Sequence, residues 1–420
     1  MAAQWLAAAE ESPDEVLLPR GAPMKRNLMF VFLSATLFVA TVGAQGNIEH
    51  TSQTEFNNAA VSTSPVAWVY VSSTAKGSSV HQIEAFSAAA NGKLTAVAGS
   101  PFQEDVTNIA VNGKYLFAVN SNGFYIDSYL IEPTGALRYA TYTNAAEAGD
   151  CNTLGQIFLD HTGATLYGTN FNGDGCANNT YESFGVNKAT GGLSDLGNST
   201  GNDWLYLPAS FIGNNQYAYS ASCLGDMYWG IFVFQRSSNG LLSESPTAIA
   251  RPPTPPTGYF YCPSQAAADP SDHVAISMQP VNQLDFSPDK PAQLATFTAD
   301  AQGNLRSTST PANMPVTSVA AVTDLNMSPS GRLLAVGGTG GLQIFHYNGA
   351  SPITHYTGLL TTDEIDQFFW DNQNHMYAIS QTSGKLFVFT VTPTSYSQSP
   401  GSPYTISSPI SIIVQPLPRY

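Results

Sequence analysis

The sequence predicts an all-β protein, a seven-bladed propeller of four-stranded blades closed by its own C-terminal strand. Three observations carry that expectation. A turn-then-strand unit recurs along the chain, and a strand-then-Gly-x-Leu unit recurs between its copies. A spare inner-type strand at the C-terminus matches a first blade that begins without one. Composition agrees: 43% of the 420 residues are apolar and only 11% charged, with 35 Gly and 27 Pro, which suits short strands and many turns rather than helical bundles.

The first unit reads VNGKYLFAV from Val111, DHTGATLYGT from Asp160, IGNNQYAYS from Ile212, DPSDHVAIS from Asp269, SPSGRLLAV from Ser328 and DNQNHMYAIS from Asp371. Each is a polar or Gly-containing turn followed by an alternating apolar segment. The second unit places Gly92, Gly135, Gly191, Gly240 and Gly303 two residues before Leu94, Leu137, Leu193, Leu242 and Leu305. Those leucines are 43, 56, 49 and 63 residues apart, against roughly 40–50 for a four-stranded blade, so the longer intervals imply longer loops.

Seven segments read as innermost strands, beginning at Val106, Leu154, Leu207, Pro263, Thr323, Asp366 and Pro409. Second strands also number seven, counting WVYVS at Trp68, which no inner strand precedes. Pro409 to Val414 should therefore pair beside Trp68 to Ser72, removing exposed edges and tying the two ends together. The run GGTGG, Gly337 to Gly341, invites comparison with a phosphate-binding loop. Such a loop should open a helix, and LQIFHY after it has strand composition, so a hairpin turn is expected.

The expected organisation is a non-native extension over 1–23, a secretory signal peptide over 24–44, a flexible linker over 45–61 and the propeller over 62–420. Lys25 and Arg26, the apolar run Leu28 to Val39 and the small residues Val42-Gly43-Ala44 carry the signal reading. An uncleaved anchor is the alternative, because the run approaches the length of a membrane span. Cleavage would leave a secreted or periplasmic protein with no membrane span. Of 30 acids and 15 bases, residues 1–44 carry four and three, which leaves 26 against 12. So acidic a surface argues against nucleic acid as a partner. A monomer is expected.

The repeat resembles the seven-bladed β-propeller lactonase family, which includes bacterial 6-phosphogluconolactonase and overlaps the YVTN repeat proteins. SPSGRLLAV, the Gly-x-Leu turns and the endings GSPF (Gly99 to Phe102) and GSPY (Gly401 to Tyr404) carry the likeness. The resemblance implies an active site on the channel face built from His, Arg and Glu. Active-type members typically enter a middle blade with His-Pro-His, where this chain has Trp204, Leu205 and Tyr206. The later Asp-Leu-Gly-x-Asp survives in part as Leu224, Gly225 and Asp226. Gly-Pro-Arg-His becomes TGYFYCPSQ, and the Asn-Glu position falls near SMQPVN.

Lactone opening needs a base for water and a donor for the developing oxyanion. Only Asp226 and Arg251, expected in channel-face loops, stand as catalytic candidates. Of the histidines, His161 and His273 fall in predicted turns and His81, His346 and His375 in strands; no G-x-S-x-G elbow is present. The expectation is an exported propeller that binds a small molecule, glycan or protein at its channel face with a degenerate lactonase site. The alternative is a hydrolase acting on a sugar lactone.

Two further constellations bear on the ligand. Channel-face loops carry Glu104, Asp105, Glu147, Asp150, Asp203, Asp226, Asp363, Glu364 and Asp366, either plain solvated charge or carboxylates converging on a cation or polyol. NFNGDG, Asn170 to Gly175, starts like a calcium loop, but Tyr181 stands where a bidentate Glu is required, so no cofactor is expected and calcium is the alternative. Aromatic candidates for a binding platform are Trp204, Tyr206, Tyr228, Trp229 and Tyr259, beside the Pro-rich RPPTPPTG; packing between blades is the other reading. The four cysteines sit on neighbouring channel-face loops of the blade map. Cys151–Cys176 and Cys223–Cys262 are therefore expected, one of three possible connectivities.

Overall fold

In the computed structural model the described residues are 64–145, 152–172, 181–198, 207–224 and 228–418. The expected leader and linker lie outside them. The described residues hold seven antiparallel sheets and no helix. Strands run from inner to outer within each blade. Blade 1 is Pro409–Pro416, Ala67–Thr74, His81–Ala88 and Leu94–Ala96; blade 2 is Val106–Val111, Tyr115–Asn120, Tyr125–Ile131 and Leu137–Asn144. Blade 3 is Asn152–Leu159, Thr165–Asn172, Tyr181–Val186 and Leu193–Asn198; blade 4 is Ser210–Phe211, Tyr217–Leu224, Tyr228–Arg236 and Leu242–Glu244. Blade 5 is Tyr259–Ala268, His273–Asn282, Gln293–Ala299 and Leu305–Arg306; blade 6 is Ala321–Met327, Leu333–Thr339, Gly341–Asn348 and Ser351–Thr361. Blade 7 is Gln367–Trp370, His375–Ser380, Lys385–Val391 and Tyr396–Gln398.

Each expected inner segment overlaps an inner strand, and the ring closes as predicted. Trp68 pairs with Gln415, Val69 with Val414 and Ser72 with Ser411. The endings GSPF and GSPY add short extra strands, Phe102–Gln103 and Tyr404–Thr405, to the third strands of blades 1 and 7. GGTGG is a hairpin: Gly338 pairs with Gly341, and Gly340 takes φ +89. A Cβ on Gly341 would run into the carbonyl oxygen of Thr361. Close backbone packing, not phosphate binding, accounts for that glycine.

Strand alternation explains why the blades stack. In blade 1, Ala67, Val69 and Val71 pack toward blade 7, while Trp68 and Tyr70 pack toward blade 2. The same division gives seven apolar clusters among the described residues, one for each pair of neighbouring blades. Period-two side chains let one strand serve two interfaces, so burial of apolar surface holds the ring on both sides of every sheet.

The Gly-x-Leu turns latch each blade to the one before it. Gly92, Gly135, Gly191, Gly240 and Gly303 all have positive φ. Gly135 lies against the Trp68 ring, Gly191 against Tyr115 and Gly303 against Tyr217, so a side chain there would collide with the neighbouring blade.

Several expectations change in detail. His273 begins a strand rather than sitting in a turn. Tyr228, Trp229 and Tyr259 belong to strands, not to loops, because the second, third and inner strands of blades 4 and 5 run on for eight to ten residues. Cys223 and Cys262 lie on these strands as well, and they form the expected disulfide with Cα atoms 5.2 Å apart. Cys151 and Cys176 lie outside the described residues.

Candidate functional site

At one level of the channel every blade but blade 4 supplies a polar side chain. Six of the inner strands are followed directly by a residue whose N–H bonds across the turn: Asn112, Asp160, Ile212, Asp269, Ser328 and Asp371. Four residues upstream of each stand Asn108, Gln156, Pro208, Gln265, Asp324 and Gln367, and blade 1 adds Ser411. All seven line one cavity of about 200 Å³. The side chain one residue later packs into an interface in blades 1, 2, 3, 6 and 7, as Ile412, Ile109, Ile157, Leu325 and Phe368 do. β-Bulges interrupt the inner strands of blades 2, 3, 5 and 6 at this level. A bulge re-aims the side chains on either side of it, which turns a regular strand into a polar lining.

Hydrogen bonds tie the ring from blade to blade. Gln265 Nε2 donates to the Thr323 carbonyl at 2.7 Å, and Phe368 N donates to Asp324 Oδ2 at 2.9 Å. Ser411 Oγ and Ile412 N both donate to Gln367 Oε1, at 3.0 and 2.8 Å. Ser72 Oγ continues the hoop to the Thr107 carbonyl of blade 2. The side-chain amides of Asn108 and Gln156 have no hydrogen-bond partner among the described residues, so they remain available to a ligand.

Asp324 is the ring's one carboxyl group. Burial pushes it up to about 7, against the lowering effect of the Phe368 and Leu325 backbone N–H groups. Protein surrounds the side chain, yet part of its surface stays open to the channel, and water there tempers the penalty. Asp366, higher in the bore, is also raised by burial and by Glu364, although Gln381 N donates to it at 2.7 Å. A carboxyl poised near neutrality is able to donate a proton or to accept one from water.

The structure describes only some of the predicted site residues. Trp204, Tyr206 and Asp226 lie outside the described residues. Tyr259 is half-buried under its own chain, with Lys290 Nζ 3.6 Å from its ring centroid and its hydroxyl bonded to Asp289 at 3.1 Å. Arg251 is exposed and does not line the channel. The bridge between Ala250 and Leu305 carries it to the outer strand of blade 5, next to the Gly-x-Leu turn rather than at the channel mouth. His375, at the start of its strand, is buried and bonded to Asp371 at 2.8 Å, a structural pair that also receives the Tyr377 hydroxyl. Reading for ionisable loop residues missed the amide ring; the fixed four-residue offset from the turns was its signal. No group of metal-ligating side chains occurs among the described residues, and they hold no helix long and apolar enough to cross a membrane.

No family model matches the sequence, and no curated protein matches it. Solved structures do. A 6-phosphogluconolactonase-like protein from Bacteroides uniformis aligns at a TM-score of 0.60 and 16% identity, covering 83% of this chain and 99% of that one. The periplasmic gluconolactonase of Pseudomonas aeruginosa aligns at 0.58 and 17%, over 84% and 99%. A protein from Sulfolobus tokodaii described as a hypothetical selenium-binding protein aligns at 0.57 and 10%, over 84% and 94%. One scaffold carrying such different descriptions fixes architecture, not chemistry. The chain has the seven-bladed propeller fold of the 6-phosphogluconolactonase-like proteins.

Proposed function

We propose that this exported propeller binds a small, neutral, polyhydroxylated ligand in its central channel. The observation that carries the reading is the amide ring with its one carboxyl group. Asn108 and Gln156 offer donors and acceptors that no described residue occupies, and Asp324 supplies either a proton or a lone pair near pH 7. Sugar hydroxyls need that mixture. A cavity of about 200 Å³ is below the roughly 300–1,000 Å³ typical of drug-sized ligands, which favours one sugar ring or less. Tyr228, Trp229, Trp204 and Tyr206 would add stacking surface, with Asp226, around it.

Lactone hydrolysis is the second reading, and Asp324 is what favours it. As a base near neutrality it would take a proton from water while the ring amides face the developing oxyanion. Calorimetric titration with glucose and with gluconolactone, beside a pH-stat assay, separates the two readings. Binding of both compounds without turnover, lost in Gln156→Ala, supports the binding propeller. Turnover above the spontaneous rate, abolished in Asp324→Asn, establishes the hydrolase. Neither binding nor turnover removes both.

A further inference from the structure

The outer hairpin of blade 2 presents a face that the channel does not use. Its third and outer strands display Tyr125, Asp127, Tyr139 and Tyr142 on one side, with the tyrosines 38%, 50% and 58% exposed. Asp127 pairs across the hairpin with Tyr142, and Tyr129 with Tyr139. The rings are ordered edge to face: Tyr125–Tyr142 and Tyr129–Tyr139 both have centroids 5.8 Å apart. Large exposed aromatics grouped on one sheet face are uncommon on a surface that meets only water.

The charge on this face is unbalanced. Asp127 is half-buried beside the rings and has no hydrogen-bond or ion-pair partner among the described residues. Glu104, which accepts the Tyr129 hydroxyl at 3.0 Å, lies close enough to raise Asp127 together with burial. Asp105 next to it is occupied by His81 and Ser121. Among the described residues no lysine or arginine is bonded to either carboxylate, so the pair beside the tyrosine rings is suited to a cation from outside.

The backbone adds a second requirement. Leu137–Asn144 is eight residues long and is the last strand of its sheet. In blades 1, 4, 5 and 7 the outer strand has only two or three residues. A long free edge accepts another strand by main-chain pairing.

We propose that blade 2 is a docking surface for an extended basic segment of a partner protein. The segment adds to the edge at Leu137–Asn144, and alternate Lys or Arg side chains lie over Tyr139 and Tyr142 toward Asp127. Aromatic faces and carboxylates together select a cation more strongly than either alone. This surface is independent of the channel reading, and its test leaves that reading untouched.

Fluorescence anisotropy with a labelled peptide alternating Arg and Thr tests the proposal, with the same peptide carrying Glu for Arg as control. Saturable binding of the Arg peptide alone is expected. It should weaken about tenfold in Asp127→Asn and in the Tyr139→Ala, Tyr142→Ala double variant, and survive in the matching double Phe variant. Asp285→Asn, an exposed acid on blade 5, should bind as the wild type does. Absence of binding overturns the proposal. So does equal weakening by Asp285→Asn and Asp127→Asn with no effect of the Ala pair, since the net charge of −15 would then explain the attraction. Thermal melts confirm that the exposed-tyrosine variants are folded before either result is read.

Discussion

The Tyr70 hydroxyl donates to the carbonyl oxygen of Gly135 at 3.0 Å, joining the second strand of blade 1 to the Gly-x-Leu turn of blade 2. Tyr167 reaches Gly240 at 2.8 Å and Tyr219 reaches Gly303 at 3.0 Å in the same way. What reads as a turn signal is thus also an interface signal. The glycine frees the backbone to present its carbonyl, and the neighbouring strand's tyrosine caps it while burying its own ring.

Gly135→Ala should therefore cost more than turn strain. Its φ is +82, and a Cβ would sit 2.6 Å from the Trp68 ring, so a loss of about 2–4 kcal/mol is expected. Gly77→Ala has similar φ, +72, and open space, and should lose only about 1 kcal/mol. Urea unfolding of the two variants gives the steric part by difference. Equal losses would show that blade 1 does not press on that turn.

Removing residues 409–420 should abolish cooperative unfolding. Blade 1 would lose its inner strand, leaving Ala67–Thr74 with an open edge and splitting the apolar clusters on both sides. An unchanged calorimetric transition would refute closure by pairing of the two ends.

Much of this architecture was legible because its signals are local. The turn at Asp371 and the strand after it lie within ten residues, and the same words recur at a propeller's spacing. The channel ring was not legible in the same way. Asp324 looks like an ordinary polar residue in an inner strand, and only the bulge between Val322 and Asp324 aims it into the bore. Bulges leave no residue type behind them. Tyr259 misled for a related reason: the Pro-rich stretch before it signals a loop, but Tyr259 already pairs with Asn282 in a ten-residue strand. Arg251 is expected in a channel-face loop, and the backbone bridge at Ala250 takes it to the outer strand of blade 5 instead.

Stability should fall as pH rises through neutrality. Glu182 is buried, its Oε2 has no hydrogen-bond partner among the described residues, and burial followed by Asp195 pushes it from 4.5 up to about 8. Between those values the folded state holds a proton that the unfolded state has released. The contribution is complete below about pH 4 and is lost as pH climbs through 8. Asp324 adds the same sign up to about 7. Unfolding free energy should drop by on the order of a few kcal/mol from pH 5 to 8, and Glu182→Gln should flatten most of that slope. A variant with the wild-type slope would mean that Glu182 finds a counter-charge.

The disulfide gives the last test. Cys223 on the second strand of blade 4 and Cys262 on the inner strand of blade 5 are 39 residues apart in sequence, and the bond joins neighbouring blades near the channel-face ends of both strands. Closing a loop of that length in the unfolded chain stabilises by roughly 2–4 kcal/mol. Cys223→Ala with Cys262→Ala should lose about that much in urea unfolding, and reductant should lower the wild type to match. Blade 4 has the shortest inner strand, Ser210–Phe211, so the bond compensates where main-chain pairing is least. If Cys151 pairs with Cys176 as the blade map expects, non-reducing peptide mapping will recover two linked peptides with no exchange between them. A Cys176–Cys223 or Cys151–Cys262 peptide in freshly purified protein would contradict the blade 4–blade 5 link itself.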